Sequence, residues 1–332
     1  MYGFLVVVTT IINSAQSYIF SSEHYDAIKQ KSLLASDDGF GQNEPFVPTP
    51  AHLLPYKKPF KIDEEHNYYK GYVNGSEDGY IRRSSCPAVN VLANRGYINR
   101  SGRNISYTEL SHAVRKVWNF GDDNSMLVLA PTFALHGWPD TIDLDMFNDD
   151  LVQFAVNCPA APTRNDRQVG ENVNINMTLY ETLVSYSSDG ETLSLEDMAE
   201  FHHLRHNMSK AENPFFVFGN QGAICSFAQY TNMMGILGRY GKHGRTTLYL
   251  EDVATFYLKE DIPLGYMKRE EPYYSMESNA LIDRMTHHIG YTIQRPFPDD
   301  DQSPGRDIEP EVARFEREKS RCPFTEKENL EL

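Results

Sequence analysis

Positive charge is scarce in this 332-residue chain: 31 Lys and Arg face 46 Asp and Glu, a formal net charge of −15. That balance argues against clustered cations gripping a phosphate backbone and against a basic face docking on anionic lipid. Neither nucleic acid nor a membrane is therefore an expected partner. Long apolar runs are lacking too, and no segment beyond the N-terminus reads as a bilayer span. Cysteines number 4, namely Cys86, Cys158, Cys225 and Cys322. In an oxidising compartment they would make two disulfides, but if Cys86 binds a metal, at least one of the others is free or paired between chains. Between Phe215 and Leu250 there is no Asp or Glu, so this stretch brings no carboxylate to any acid–base chemistry. What is present, 40% hydrophobic and 12% aromatic residues, suffices for a packed core.

The first 17 residues read as a secretory signal peptide. Phe4 to Ile12 is apolar and too short to span a bilayer, and Ala15-Gln16-Ser17 supplies small residues for cleavage, although no Lys or Arg precedes the run. Secretion to the extracellular space is the expectation. Five Asn-x-Ser/Thr sequons agree with it, making Asn74, Asn99, Asn104, Asn176 and Asn207 candidate glycosylation sites.

Residues 18–85 are repeatedly interrupted by proline and read as an irregular lead-in. Helical spacing begins at Cys86. Leu110, Val114, Val117 and Trp118 recur on one face, with Thr108 as the expected N-cap. Met126 to Leu135 reads as a buried helix bent at Pro131, Leu195 to Arg205 as a helix capped by Ser194 and Asp197, and Leu250 to Leu258 as another. Beyond residue 295 the chain turns polar and charged. The expected organisation is one all-α domain over residues 18–295 and a flexible tail over 296–332.

The chemistry points to Ser84-Ser85-Cys86-Pro87-Ala88-Val89-Asn90. Ser85 is the expected cap of a helix whose first turn holds Cys86 and Pro87. A cysteine there feels the positive end of the helix dipole and unpaired N–H groups, both of which favour thiolate. By itself Cys-Pro reads equally as a half-cystine, and Cys322-Pro323 repeats it in the polar tail.

Residues 86–106 extend the pattern. Cys86, Pro87, Asn90, Leu92, Ala93, Asn94, Gly96, Tyr97, Ile98, Gly102 and Ile105 resemble the heme-ligand signature of the chloroperoxidase and unspecific peroxygenase family of heme-thiolate peroxidases. Further similarity runs through Arg164, Asp166, Asp197 to Arg205, Asn213-Pro214 and Phe256 to Gly265. The resemblance implies a chloroperoxidase-like helical fold binding heme b, with Cys86 as axial ligand of the heme iron. It makes Arg83 a candidate propionate contact, and a surface arginine is the alternative.

Three departures from the family pattern change the expected chemistry. Ser85 replaces a proline. The family's cation-binding carboxylates are replaced by Asn157-Cys158-Pro159-Ala160-Ala161, so no divalent-cation site is expected. The distal glutamate is missing, which leaves no identifiable catalytic acid–base residue. The aligned positions of the lost histidine and glutamate fall on Cys158 and, within one residue, Cys225. The resemblance thus implies a Cys158–Cys225 disulfide, with two separate buried thiols as the alternative. Gln221 is a candidate partial substitute for the base, and His202, His203 and His206 read as surface or helix-end residues. Ile224, Phe227 and Val156 are candidate lining residues. The expected function is peroxide-dependent oxidation of a small organic molecule. The alternatives are a heme-binding pseudoenzyme and a heme-thiolate catalyst that uses no peroxide.

Overall fold

A computed structural model describes residues 57–69, 81–149, 158–216, 218–240 and 246–293. The N-terminal signal, Asn74, Asn157 and the tail lie outside the described residues. The described part is mostly helical, as the all-α expectation requires. In chain order the helices are α1 (Pro87–Arg95), α2 (Tyr107–Trp118), α3 (Asp122–Leu135), α4 (Met177–Ser185), α5 (Leu195–Glu212), α6 (Asn220–Leu237), α7 (Leu250–Ala254) and α8 (Ser275–His288). None of them is long and apolar enough to cross a membrane. Short strands β1 (Lys57–Pro59), β2 (Thr192–Leu193), β3 (Arg239–Tyr240), β4 (Thr246–Tyr249) and β5 (Met267–Arg269) form two small antiparallel sheets, β1-β5 and β2-β4-β3.

Each helix forms where its ends are satisfied and one stripe is apolar. In α2 the cap is Ser106, whose side chain accepts from the Glu109 N–H, so the expected Thr108 already lies inside the helix. Leu110, Val114, Val117 and Trp118 face the core as their spacing requires. α3 begins earlier than expected, at Asp122, and continues through Pro131; buried residues on every side make it a core helix. α5 starts on the Ser194/Asp197 capping box read from the sequence and runs on to Glu212. The helix expected over 250–258 changes character at Thr255, where Thr255–Lys259 widens into a π turn. Such turns are rare and are frequent at functional sites.

α8 packs on α6 and α5, α2 on α3, and α1 on α2 and the π turn. These contacts enclose an apolar core around Trp118, Phe133, Phe201, Phe227, Tyr230 and Tyr273. Two glycines of the 86–106 signature are required by backbone geometry. Gly96 ends α1 at φ +73°, and Gly102 has the same φ, with its Cα so close to the Arg82 carbonyl that any side chain would collide.

Candidate active site

Cys86 is itself the N-cap of α1, with Pro87 in the first turn, so the expected Ser85 cap is displaced by one residue. No side-chain oxygen caps the helix. The cap side chain makes no hydrogen bond, and the sulfur stands near the backbone N–H groups of Val89 and Ala88 at the start of the helix. Burial pushes the thiol up from its ordinary value, and those N–H groups and the nearby Arg164 guanidinium oppose the shift by favouring thiolate. Among the described residues Cys86 is the free cysteine, half-buried on the wall of a cavity.

The loop carrying Cys86 is fastened from several directions. Asn90 accepts the Ser84 N–H at 2.8 Å and donates to the Ser84 carbonyl at 2.7 Å and to Glu260 Oε1 at 2.8 Å. Asn148 accepts the Ser85 N–H at 2.6 Å and donates to the Arg83 carbonyl at 3.0 Å. Ser84 Oγ accepts the Cys86 N–H at 2.9 Å. Asn94, one turn after Asn90, accepts from Arg83 Nη2 at 2.8 Å and donates to the Glu260 carbonyl at 3.0 Å. The two signature asparagines therefore tie the Cys86 loop to the end of the π turn, where Glu260 adopts φ +49°.

Arg83 is not among the residues that line the cavity. Only 5% exposed, it donates to Asn94, the Arg82 carbonyl and the Arg100 carbonyl, which corrects the surface reading. The arginine on the cavity wall is Arg164, whose Nη2 donates to Glu260 Oε1 at 3.0 Å and whose Nε has no partner among the described residues. Burial raises the Glu260 carboxyl from its ordinary value, and Arg164 and Asn90 oppose that shift. Tyr257, on the π turn, lines the same wall.

The cavity measures about 270 Å³. Its floor is the start of α1, and α3, α6, α8 and the π turn contribute walls that include Leu127, Ile224, Met233, Ile282 and Phe256. Phe227 is not among its lining residues; it stacks on His202 with ring centroids 3.7 Å apart. The surface reading of His202 is corrected as well, because the ring is 1% exposed. Its Nε2 lies 2.9 Å from Ser226 Oγ, which donates to the Pro159 carbonyl at 2.7 Å. That chain makes Nε2 the protonated nitrogen and leaves Nδ1 without a partner. Burial then holds the imidazole well below its ordinary pKa, hence neutral.

Cys158 and Cys225 are joined in the structure, and Cys225 stands on the cavity wall. The residues that follow Cys158 are anchored through Asp166, which accepts the Ala160 N–H at 3.2 Å, Ser209 Oγ at 3.0 Å and Asn213 Nδ2 at 3.0 Å. The Gln221 side chain lies outside the described residues. Of the sequons, Asn99, Asn104 and Asn207 are exposed, and Asn176 caps α4 with its amide nitrogen bonded to Asn165.

Sequence reasoning missed Glu260 as the buried anion of the site, Tyr257, Asn148 and the polar residues of the α6–α8 wall. Only the last had a sequence signal: Gln229 and Asn232 lie three apart, on one face of a helix that carries no charged residue. The donor set, a sulfur at a helix N-terminus beside one guanidinium in a mostly apolar cavity, fits a flat and largely apolar iron group that carries carboxylates.

The family model described as "Peroxidase, family 2" matches residues 66–271. An "Aromatic peroxygenase" of Cyclocybe aegerita is 30% identical over 215 residues, covering 57% of this chain and 56% of the relative. An "Aromatic peroxygenase" of Coprinellus radians is 25% identical over 168 residues, covering 44% of this chain and 63% of that protein. The chain thus spans less than two thirds of the length of either relative.

Proposed function

The chain belongs to peroxidase family 2, and on that footing we propose that it is a secreted heme-thiolate oxidoreductase acting on small organic molecules with peroxide. The observation that carries the reading is Cys86 at the N-cap of α1, on the cavity wall, with the unpaired N–H groups of the helix start near its sulfur. A heme b bound there would supply iron-centred oxidation, with electron density donated by the thiolate. Cys86 is the ligand, and the helix N–H groups and Arg164 hold its negative charge. Asn90, Asn94 and Asn148 keep the loop from shifting. The mostly apolar lining lowers the polarity around the sulfur.

The wall that carries Cys225 offers a disulfide and no carboxylate. No described side chain at that point moves a proton at neutral pH, and loss of a general acid–base group typically costs about 10²–10⁴ in rate. Peroxide turnover is therefore slow relative to enzymes that retain the group. The same observation favours a second reading, a heme binder that has lost catalysis. Secretion rests on the N-terminal pattern and the sequons, and exposure of Asn99, Asn104 and Asn207 suits glycosylation there.

The test is oxidation of a small aromatic compound by hydrogen peroxide, with the heme-loaded protein beside its Cys86→Ala variant. Slow turnover that disappears in the variant is expected. Heme uptake without any turnover selects the second reading, and failure to bind heme overturns both.

A further inference from the structure

The cavity walls are not uniformly apolar. On α6, Gln229 and Asn232 occupy the face that turns to the cavity, and Asn279 reaches it from α8. Asn124, at the start of α3, stands beside them with Nδ2 3.5 Å from Asn232 Oδ1. These amides have unused hydrogen-bonding capacity. The Asn279 side chain makes no hydrogen bond within the described residues, and the Asn232 side chain is engaged only through its oxygen. Gln229 uses its nitrogen, which donates to the Cys158 carbonyl at 3.2 Å, and leaves Oε1 open. Half-buried amides without partners on a mostly apolar wall leave a ligand group hydrogen-bonding partners to meet.

The charge of the partner can also be read. Asp123 is the ionisable group behind this wall, and its carboxylate is occupied by the Ser275 N–H at 3.0 Å, the Ser275 hydroxyl and the Asn124 N–H at 2.7 Å. It does not line the cavity. Among the described residues the one cation on the lining is Arg164, which is held by Glu260 near Cys86. An ionised ligand group at the amides would be desolvated with no counter-charge beside it.

From this arrangement we propose that Gln229, Asn232 and Asn279 form a substrate-binding subsite for a neutral hydroxyl or carbonyl group borne on an apolar skeleton. This deepens the proposed function, resting on the reading that the cavity is the reaction chamber. It makes the preferred substrates neutral oxygenated molecules rather than bare hydrocarbons or acids. Asn232 and Asn279 together present donors and acceptors, so the subsite takes an alcohol, phenol or ketone. The apolar residues around it, Met233 and Ile282 among them, hold the skeleton.

Equilibrium dialysis of the heme-loaded protein with naphthalene, 2-naphthol and 2-naphthoate tests this by binding alone, without peroxide. Wild type should bind 2-naphthol most tightly. In Asn279→Leu and Asn232→Leu the preference for 2-naphthol over naphthalene should fall about threefold to tenfold, the worth of one or so buried hydrogen bonds. The isosteric Asn279→Asp variant carries the test if a leucine variant does not fold. It should keep 2-naphthol binding within reach of wild type and weaken 2-naphthoate further. An unchanged ratio in folded leucine variants, or equal affinity of wild type for all three compounds, would mean that the amides hold only water, and the proposal fails. The absorption spectrum of the Cys86 site is read separately. Loss of the thiolate signature with the 2-naphthol preference intact rejects the proposed function and leaves the subsite standing; the reverse result rejects the subsite alone.

Discussion

Arg164 and Glu260 form a buried ion pair, Nη2 to Oε1 3.0 Å, on the side of the cavity that holds Cys86. Glu260 also accepts from Asn90, so one carboxylate joins the cavity wall, the π turn and the helix that Cys86 caps. Replacing Arg164 by Met leaves that carboxylate buried without its cation and should cost about 3–5 kcal/mol in stability. The double variant Arg164→Met/Glu260→Gln should recover part of the loss. The loss should also shrink as pH falls toward the ordinary carboxyl value, because Glu260, already raised, then becomes neutral in both folded and unfolded chains. Urea unfolding of the three proteins at several pH values measures this.

The Cys158–Cys225 bond closes a loop with a sequence separation of 67. By the chain-entropy argument such a loop contributes about 4 kcal/mol, mainly by restricting the unfolded chain. The Cys158→Ala/Cys225→Ala variant should lose about 2–5 kcal/mol while keeping its helical content. Peptide mapping without reductant should recover the two cysteines in one cross-linked fragment pair. Two free thiols would remove the disulfide from the account.

Lys57 supplies a pH-dependent contribution away from the cavity. Its ammonium donates to the Gly238 carbonyl, and burial, reinforced by Arg269, lowers its pKa to about 7, against the attraction of Glu277 and Asp252. The folded-state pKa lies below the unfolded one. Below about pH 7 both states are protonated and the folded protein bears the full cost of the buried charge. Between about 7 and the ordinary lysine value, the unfolded chain binds the extra proton and stability rises with pH. Wild type should therefore gain stability over that window relative to Lys57→Met, read as the difference between their urea midpoints. Parallel pH profiles would contradict the assignment.

Much of the site was legible because its parts are close in sequence. Asn90 and Asn94 lie one turn apart on α1 and fasten residues 83 and 84, so the run from Cys86 to Ile105 holds its own structural logic. The left-handed backbone at Gly96 and Gly102 belongs to the same run. Glu260 was not legible, because its partners Asn90 and Arg164 are 170 and 96 positions away and an acidic residue near a helix end reads as solvated. His202 failed for a related reason. It follows a polar helical pattern, and only packing against α6, where Phe227 and Ser226 meet the ring, turns it inward. Cap positions slipped by a residue or two, from Ser85 to Cys86 and from Thr108 to Ser106, because neighbouring residues offer similar local chemistry and the tertiary contacts choose between them.

The central claim is that Cys86 places a thiolate on a heme iron. Its most direct test is the absorption spectrum of the purified, heme-supplemented protein, reduced and exposed to carbon monoxide, beside Cys86→Ala. The account predicts a red-shifted Soret band of the thiolate type in wild type and its loss in the variant. An unchanged spectrum in Cys86→Ala, or no heme uptake by wild type, would contradict it.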